Sequence, residues 1–151
     1  MADNGGMVNI GGKDVTQRRA QACGTILLGP AAFEVVRSGR CPKGDVLQTA
    51  RIAAIQAAKS TAALIPMCHP IPIDAVSVDF QLCPARTALA VTATVYSTGR
   101  TGVEMEALTA AAVGCLTVYD MLKYTGKDMV IADVRLLAKS GGNSGDYQRQ
   151  D

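Results

Sequence analysis

Residues 74–96 read DAVSVDFQLCPARTALAVTATVY. Val76, Val78, Phe80 and Leu82 fall on one side of an extended chain, and so do Leu89, Val91, Ala93 and Val95. A side-chain period of two is that of a half-buried strand. Pro84-Ala85-Arg86 between the two runs predicts a hairpin turn joining strands over 74–82 and 87–96. The other side of the second strand carries Ala88, Ala90, Thr92 and Thr94. Small uncharged groups are an odd choice for a solvated face, so cover by another subunit is expected.

The hairpin is flanked by two long helical patterns. Upstream, Val46, Ala50, Ala53 and Ala57 keep helical spacing from Asp45 to Ile65, and Pro66 ends the run. Seven of the fifteen residues from Thr49 to Ala63 are Ala, which lets another layer approach closely. The following PMCHPIPI (66–73) holds Pro66, Pro70 and Pro72 and is expected to be stiff and extended. Downstream, Met105, Leu108, Ala112, Cys115, Tyr119 and Leu122 predict an amphipathic helix over 102–124, stopped near Gly126.

Working outward, Thr25–Leu28 favours a strand, Gly29-Pro30 opens a short helix over 31–38, and Met129–Leu137 reads as a last strand. Residues 1–12 are expected to form a flexible arm with a short strand at 7–10, residues 13–147 one domain, and residues 148–151 a tail. The large elements run β-α-β-β-α-β. That order predicts an α+β, ferredoxin-like fold: a mainly antiparallel four-stranded sheet with two long helices on one face.

Composition narrows the function. The chain has 151 residues, the length of one domain. Hydrophobic residues make up 48% and charged residues 19%, which excludes a disordered chain. No uninterrupted apolar run reaches membrane-spanning length, so no membrane helix is expected. A net charge of +2, no Trp, 2 Phe and 4 Tyr argue against a nucleic-acid binder. The 5 cysteines are odd in number and never in C-x-x-C spacing, against a disulfide framework or a zinc ribbon. No segment resembles a signal peptide, and a reducing, cytoplasmic setting is expected.

Several residues could carry chemistry. His69 is the sole histidine and sits between prolines in Cys68-His69-Pro70; a satisfied loop histidine and a proton-transfer group are equally open readings. Glu104 and Glu106 open the second long helix, where acids also simply complement the helix dipole. Asp120 and Lys123 share a helix face three residues apart, either as an exposed ion pair of little worth or as a poised acid–base couple. Glu106 and Asp120 are 14 residues apart, about 21 Å along a helix, so one small substrate reaches both only if two subunits contribute. Lys43 and Lys139 lie in turn-rich contexts, and the tail KSGGNSGDY reads as a solubilising segment or a lid. There is neither a P-loop motif nor G-x-G-x-x-G.

Seven strings are specific in combination: KGDV (43–46), ARIAAIQAAK (50–59), LIPMCHPIPI (64–73), TGRTGVEMEALTA (98–110), LTVYDMLK (116–123), DMVI (128–131) and RLLAKSGGNSGD (135–146). In this order they resemble the cyclic pyranopterin monophosphate synthase family, also called the molybdenum cofactor biosynthesis protein C or MoaC family. The resemblance covers residues 7 to about 147. It implies a ferredoxin-like lyase that rearranges 3′,8-cyclo-7,8-dihydro-GTP into cyclic pyranopterin monophosphate and releases pyrophosphate. It also implies a homohexamer, three dimers with sites at the dimer interfaces, acting after a radical S-adenosylmethionine enzyme.

Carried over, Asp120, Lys123 and Lys43 would be catalytic. Met67, Cys68, His69, Glu104, Met105 and Glu106 would contact substrate, and Lys139 and Arg18 its phosphates. No metal site or required cofactor is implied, although magnesium could accompany the triphosphate. Lysines of near-neutral proton affinity could move the protons, with Asp120 orienting Lys123. The chain departs from the family at Asn9, where an acid is frequent, at Leu122, where a cysteine is common, and at Asn143, where a lysine is frequent. Two rivals remain on residues alone: a non-catalytic small-molecule-binding module of the same fold, and a hydrolase dependent on Cys68.

Overall fold

A computed structural model describes residues 5–151. The order is β1 (Thr16–Leu27), α1 (Gly29–Ser38), α2 (Val46–Lys59), α3 (Thr61–Leu64), β2 (Ala75–Cys83), β3 (Ala88–Gly99), α4 (Glu104–Leu122), β4 (Val130–Ser140) and β5 (Tyr147–Gln148). A 3-10 turn at Pro84–Arg86 closes the expected hairpin. The sheet order is β2-β3-β1-β4-β5, with every pairing antiparallel. This is the ferredoxin-like arrangement, with a short fifth strand added at the β4 edge. β1 runs over Thr16–Leu27, longer than the expected Thr25–Leu28, because β3 and β4 pair with it on both sides.

The hairpin pattern holds residue by residue. Leu82 pairs with Leu89, Phe80 with Val91, Val78 with Ala93 and Val76 with Val95. Across the sheet the same row continues into Ile26, Gly24, Ala22 and Ala20 of β1. α2 and α4 pack on that face and against each other. Asp45 caps α2, its Oδ1 accepting the Gln48 N–H at 2.9 Å. Arg51 ties α2 to the edge strand: its Nε donates to the Val78 carbonyl at 3.2 Å and its guanidinium lies 5.3 Å from the Phe80 ring centre.

Three expectations need correction. The helix expected over 45–65 breaks at Ser60 into α2 and α3. Buried Thr61 turns its hydroxyl back to the Ala57 carbonyl at 3.0 Å, an arrangement that bends helices. No strand forms at 7–10, and residues 1–4 of the expected arm lie outside the described residues. The stripe Met105–Leu122 is only partly the buried one. Met105 is 38% exposed, whereas α4 buries Ala107, Ala110, Ala111, Gly114, Cys115, Val118 and Leu122. α4 is apolar around most of its circumference, so spacing alone does not single out the face that meets the sheet. The sheet takes the small residues and leaves Met105 and Leu116 outside. Among the described residues α4 alone is long and apolar enough to cross a membrane, and here half of it is buried in the core.

The C-terminal end is tied down more firmly than a tail. β5 crosses the expected boundary at 147, and Arg149 donates its N–H to the Leu137 carbonyl and its Nε to the Leu136 carbonyl, both at 2.8 Å.

Two glycines set the closeness of the layers. A Cβ on Gly114 would lie 2.9 Å from Val91 Cγ1, and one on Gly24 would lie 3.0 Å from Cys115 Sγ. Gly114→Val is expected to destabilise the fold by about 1–3 kcal/mol through overpacking. Chemical denaturation of the purified variant checks this, read as a lower midpoint at unchanged slope.

Candidate active site

The expected site residues gather at the two ends of α4. At its N-terminal end Glu104 and Glu106 occupy the first turn, where the helix dipole favours acids. They then differ. Glu104 pairs with Lys139 at 3.3 Å. Glu106 is buried, 4% exposed, and helps line a cavity of about 240 Å³ with Ala58, Lys59, Pro70 and Ile73. Burial pushes the Glu106 carboxyl above the ordinary carboxylate range, and the Glu104 charge adds to the shift. Its own backbone N–H opposes the rise.

The Cys68-His69 turn is on the same side. Burial raises the Cys68 thiol, and the field of Glu106 raises it further. A thiol held protonated is a poor nucleophile, which counts against the Cys68-dependent hydrolase. His69 is half-buried and Met67 is 59% exposed.

Lys139 reaches Glu104 because β4 is irregular. Leu136 pairs with Ala22, but after a register shift Lys139 pairs with Ala20. Ala20 and Ala22 both face the helices, so the bulge turns Lys139 from the open side of the sheet toward α4. Without it Lys139 would stand opposite Arg19, on the far face. The loop beyond is shaped around Arg18, whose Nη1 donates to the Gly141 carbonyl at 3.4 Å. Gly141 and Gly142 have φ of +93° and +85°. A Cβ on Gly142 would strike the Arg18 guanidinium, and one on Gly141 the Gln17 carbonyl. Positive φ favours glycine at both positions, and at Gly141 the Gln17 backbone also leaves no room for a side chain.

At the C-terminal end of α4, Lys123 Nζ donates to Asp120 Oδ1 at 2.7 Å, and Lys43 Nζ to the Asp120 carbonyl at 3.0 Å. Both members of the Asp120–Lys123 pair are exposed. The Lys123 hydrogen bond and charge hold the Asp120 carboxyl below its usual range, and the Asp120 hydrogen bond and charge raise the Lys123 ammonium. The expectation of near-neutral lysines fails for Lys123: the hydrogen-bonded carboxylate favours its charged form. Within the single chain it is therefore held as a cation.

Fourteen residues of α4 separate the two groups, so within one chain the Glu106 and Asp120 ends stand about 21 Å apart. The chain brings together Glu104, Lys139 and Arg18, then Cys68 with Glu106, then Asp120, Lys123 and Lys43. It does not bring the last group to the others.

Sequence reading missed Lys13, Thr16, Arg100 and Ser144, which line a cavity of about 190 Å³ with Arg18, Glu104, Lys139 and Asn143. The Gly-flanked Arg100 in TGRTG was the available signal. It also missed Cys41 and Tyr124, whose hydroxyl lies 4.0 Å from Cys41 Sγ beside the Asp120 group. The departures are accommodated: Leu122 is fully buried, and Asn9 Oδ1 accepts the Gly11 N–H at 2.9 Å in a local turn. Among the described residues no three His, Cys, Asp or Glu side chains converge where they could hold a metal.

The ferredoxin-like domain thus carries a basic pocket at one end of its core helix and an Asp–Lys pair at the other. The chain is a member of the MoaC family, whose model matches residues 7–142. It is 52% identical over 145 residues to a protein of Chloroflexus aggregans named cyclic pyranopterin monophosphate synthase, covering 96% of this chain and 88% of that one. It is 52% identical over 142 residues to a protein of the same name from Herpetosiphon aurantiacus, covering 94% and 87%.

The buried Glu106 predicts a pH signature. Its folded-state carboxyl is raised, so its ionisation costs stability as pH climbs from the unfolded carboxylate value, about 4.3, through the raised value. Glu106→Gln is expected to melt a few degrees higher than wild type at pH 8 and to lose that advantage below pH of about 4. Thermal melts across pH check the sign.

Proposed function

We infer that this chain is a cyclic pyranopterin monophosphate synthase. It is a lyase that converts 3′,8-cyclo-7,8-dihydro-GTP to cyclic pyranopterin monophosphate with release of pyrophosphate, in molybdenum cofactor biosynthesis. The observation that carries this is identity of 52% along almost the whole chain to proteins of that name. The charged groups at both ends of α4 support it.

In this reading Asp120, Lys123 and Lys43 are the catalytic group. Lys123, charged and oriented by Asp120, donates a proton to a leaving or ring atom and counters developing negative charge. Glu106, whose burial raises its carboxyl, is suited to hold and pass on a proton, beside Cys68 and His69. Met67 and Met105 supply apolar contact to the pterin ring, Arg18 and Lys139 frame the phosphates, and Glu104, beside Met105 and Glu106, steadies Lys139. The chemistry is rearrangement, elimination and cyclisation, so no resident redox cofactor is invoked. Magnesium carried by the triphosphate is compatible with the reading.

The same proposal makes the protein a homohexamer, a trimer of dimers. Each site then joins the Glu106 end of one α4 to the Asp120 end of another. The length of α4 and the outward exposure of Met105 and Leu116 support it. A radical S-adenosylmethionine enzyme would supply the cyclised substrate. No nucleic acid or membrane is required as a partner. The five free thiols fit a reducing cytoplasm.

Turnover of enzymatically prepared cyclised substrate is the test, with pterin product and pyrophosphate both followed. Wild type is expected to turn over. Lys123→Ala, correctly assembled, is expected to lose about a hundredfold or more in kcat. A correctly assembled wild type that releases neither product would refute the reading.

A further inference from the structure

The cavity beneath the glycine-rich loop is more basic than its expected members account for. Lys13 and Arg100 join Arg18 and Lys139 in its walls. Against these four cations stand Asp14 and Glu104, and Glu104 is paired with Lys139. Among the described residues that is the one ion pair in the cavity, so Lys13, Arg18 and Arg100 have no carboxylate partner there. Two buried side-chain polar atoms without a hydrogen-bond partner, Thr16 Oγ1 and Arg18 Nε, belong to residues lining the same cavity. Buried donors left unpaired are uncommon and costly. Both residues stand in the cavity wall, where a small rearrangement around an incoming polyanion would give these atoms partners.

Arg100 bridges two walls of this cavity. Its Nε donates to the Lys13 carbonyl at 3.0 Å, joining segments 87 residues apart. One of five guanidinium donors is used in that bond, which leaves the rest of a planar fork suited to phosphate oxygens.

We propose that Arg100 is a positioning residue for anion recognition: its grip on the Lys13 carbonyl holds the Lys13–Arg18 segment against the loop entering α4, and the cations so assembled receive the pyrophosphate end of the substrate. The assignment of that end rests on the synthase reading above. Lys13 and Thr16 thereby become anion contacts beside Arg18 and Lys139. The glycine-rich loop forms the far wall, with Arg18 seated against Gly142.

The experiment is calorimetric titration of the assembled protein with inorganic pyrophosphate, for wild type, Arg100→Ala, Arg100→Lys and Lys13→Ala, followed by steady-state kinetics on the cyclised substrate. Wild type is expected to bind pyrophosphate with an affinity that falls steeply with salt. Arg100→Ala should bind about tenfold or more weakly and show a matching rise in KM with kcat within about threefold. Arg100→Lys should recover part of the loss, and Lys13→Ala should weaken pyrophosphate by a few-fold.

Unchanged pyrophosphate affinity in Arg100→Ala overturns the proposal, as does a loss confined to kcat. Should Arg100→Ala not assemble, unchanged affinity in assembled Lys13→Ala overturns it instead. Turnover by a wild type that binds no pyrophosphate would sink the clamp and leave the synthase reading standing. Pyrophosphate binding that depends on Arg100, without turnover, would do the reverse.

Discussion

Helix α4 can lie close to the sheet only because the residues between them are small. Ala107, Ala110, Ala111 and Gly114 are buried between α4 and its neighbours, and an added methyl at Gly114 or Gly24 would crowd the opposite layer. This seating makes α4 a rigid strut about 28 Å long, 19 residues at 1.5 Å each. Its ends are thereby fixed in space, and both ends carry the chemistry. Glu104 and Glu106 project from the first turn, and Asp120 and Lys123 from the last. A helix that could slide or tilt would not hold either group against Lys139, Cys68 or Lys43.

The two ends are electrically different. At one, burial keeps a carboxyl and a thiol inclined to hold protons, beside a basic cavity. At the other, an exposed carboxylate holds a lysine charged. In the proposed assembly these halves come from different subunits. One proton-holding acid and one fixed ammonium would then face the substrate from opposite sides, with the polyphosphate anchored at the basic end. Apposed titratable groups with unlike environments are a common arrangement for acid–base work.

Much of the fold was legible. The alternation over 74–96 defines strands and register because side-chain period two survives any context that buries one face. The long helices were legible as helices, but the buried face of α4 was not. Nearly every position on it is apolar or small, so the face is chosen by what the sheet can accommodate. The break at Ser60 comes from a side-chain hydrogen bond at Thr61, a choice among local partners that spacing does not encode. Of the site, the Asp120–Lys123 pair was readable because i,i+3 neighbours on a helix must meet. Lys139 was legible as a lysine of a possible lid, and the resemblance added its role at the phosphates. Its orientation depends on a bulge in β4, and no periodicity in RLLAKS announces one. Lys13 and Arg100 were missed because each is an isolated basic residue in a loop, and their meeting is a product of the tertiary fold.

The central claim is that each site is completed by the opposite ends of two α4 helices. Mixed oligomers of Lys123→Ala and Glu106→Gln test it most directly. Each variant alone spoils every site, but a mixed pair of subunits contains one site with both ends intact. Random one-to-one assembly is therefore predicted to restore about a quarter of wild-type turnover, from two inactive parents. No activity in oligomers verified to contain both variants would contradict the account.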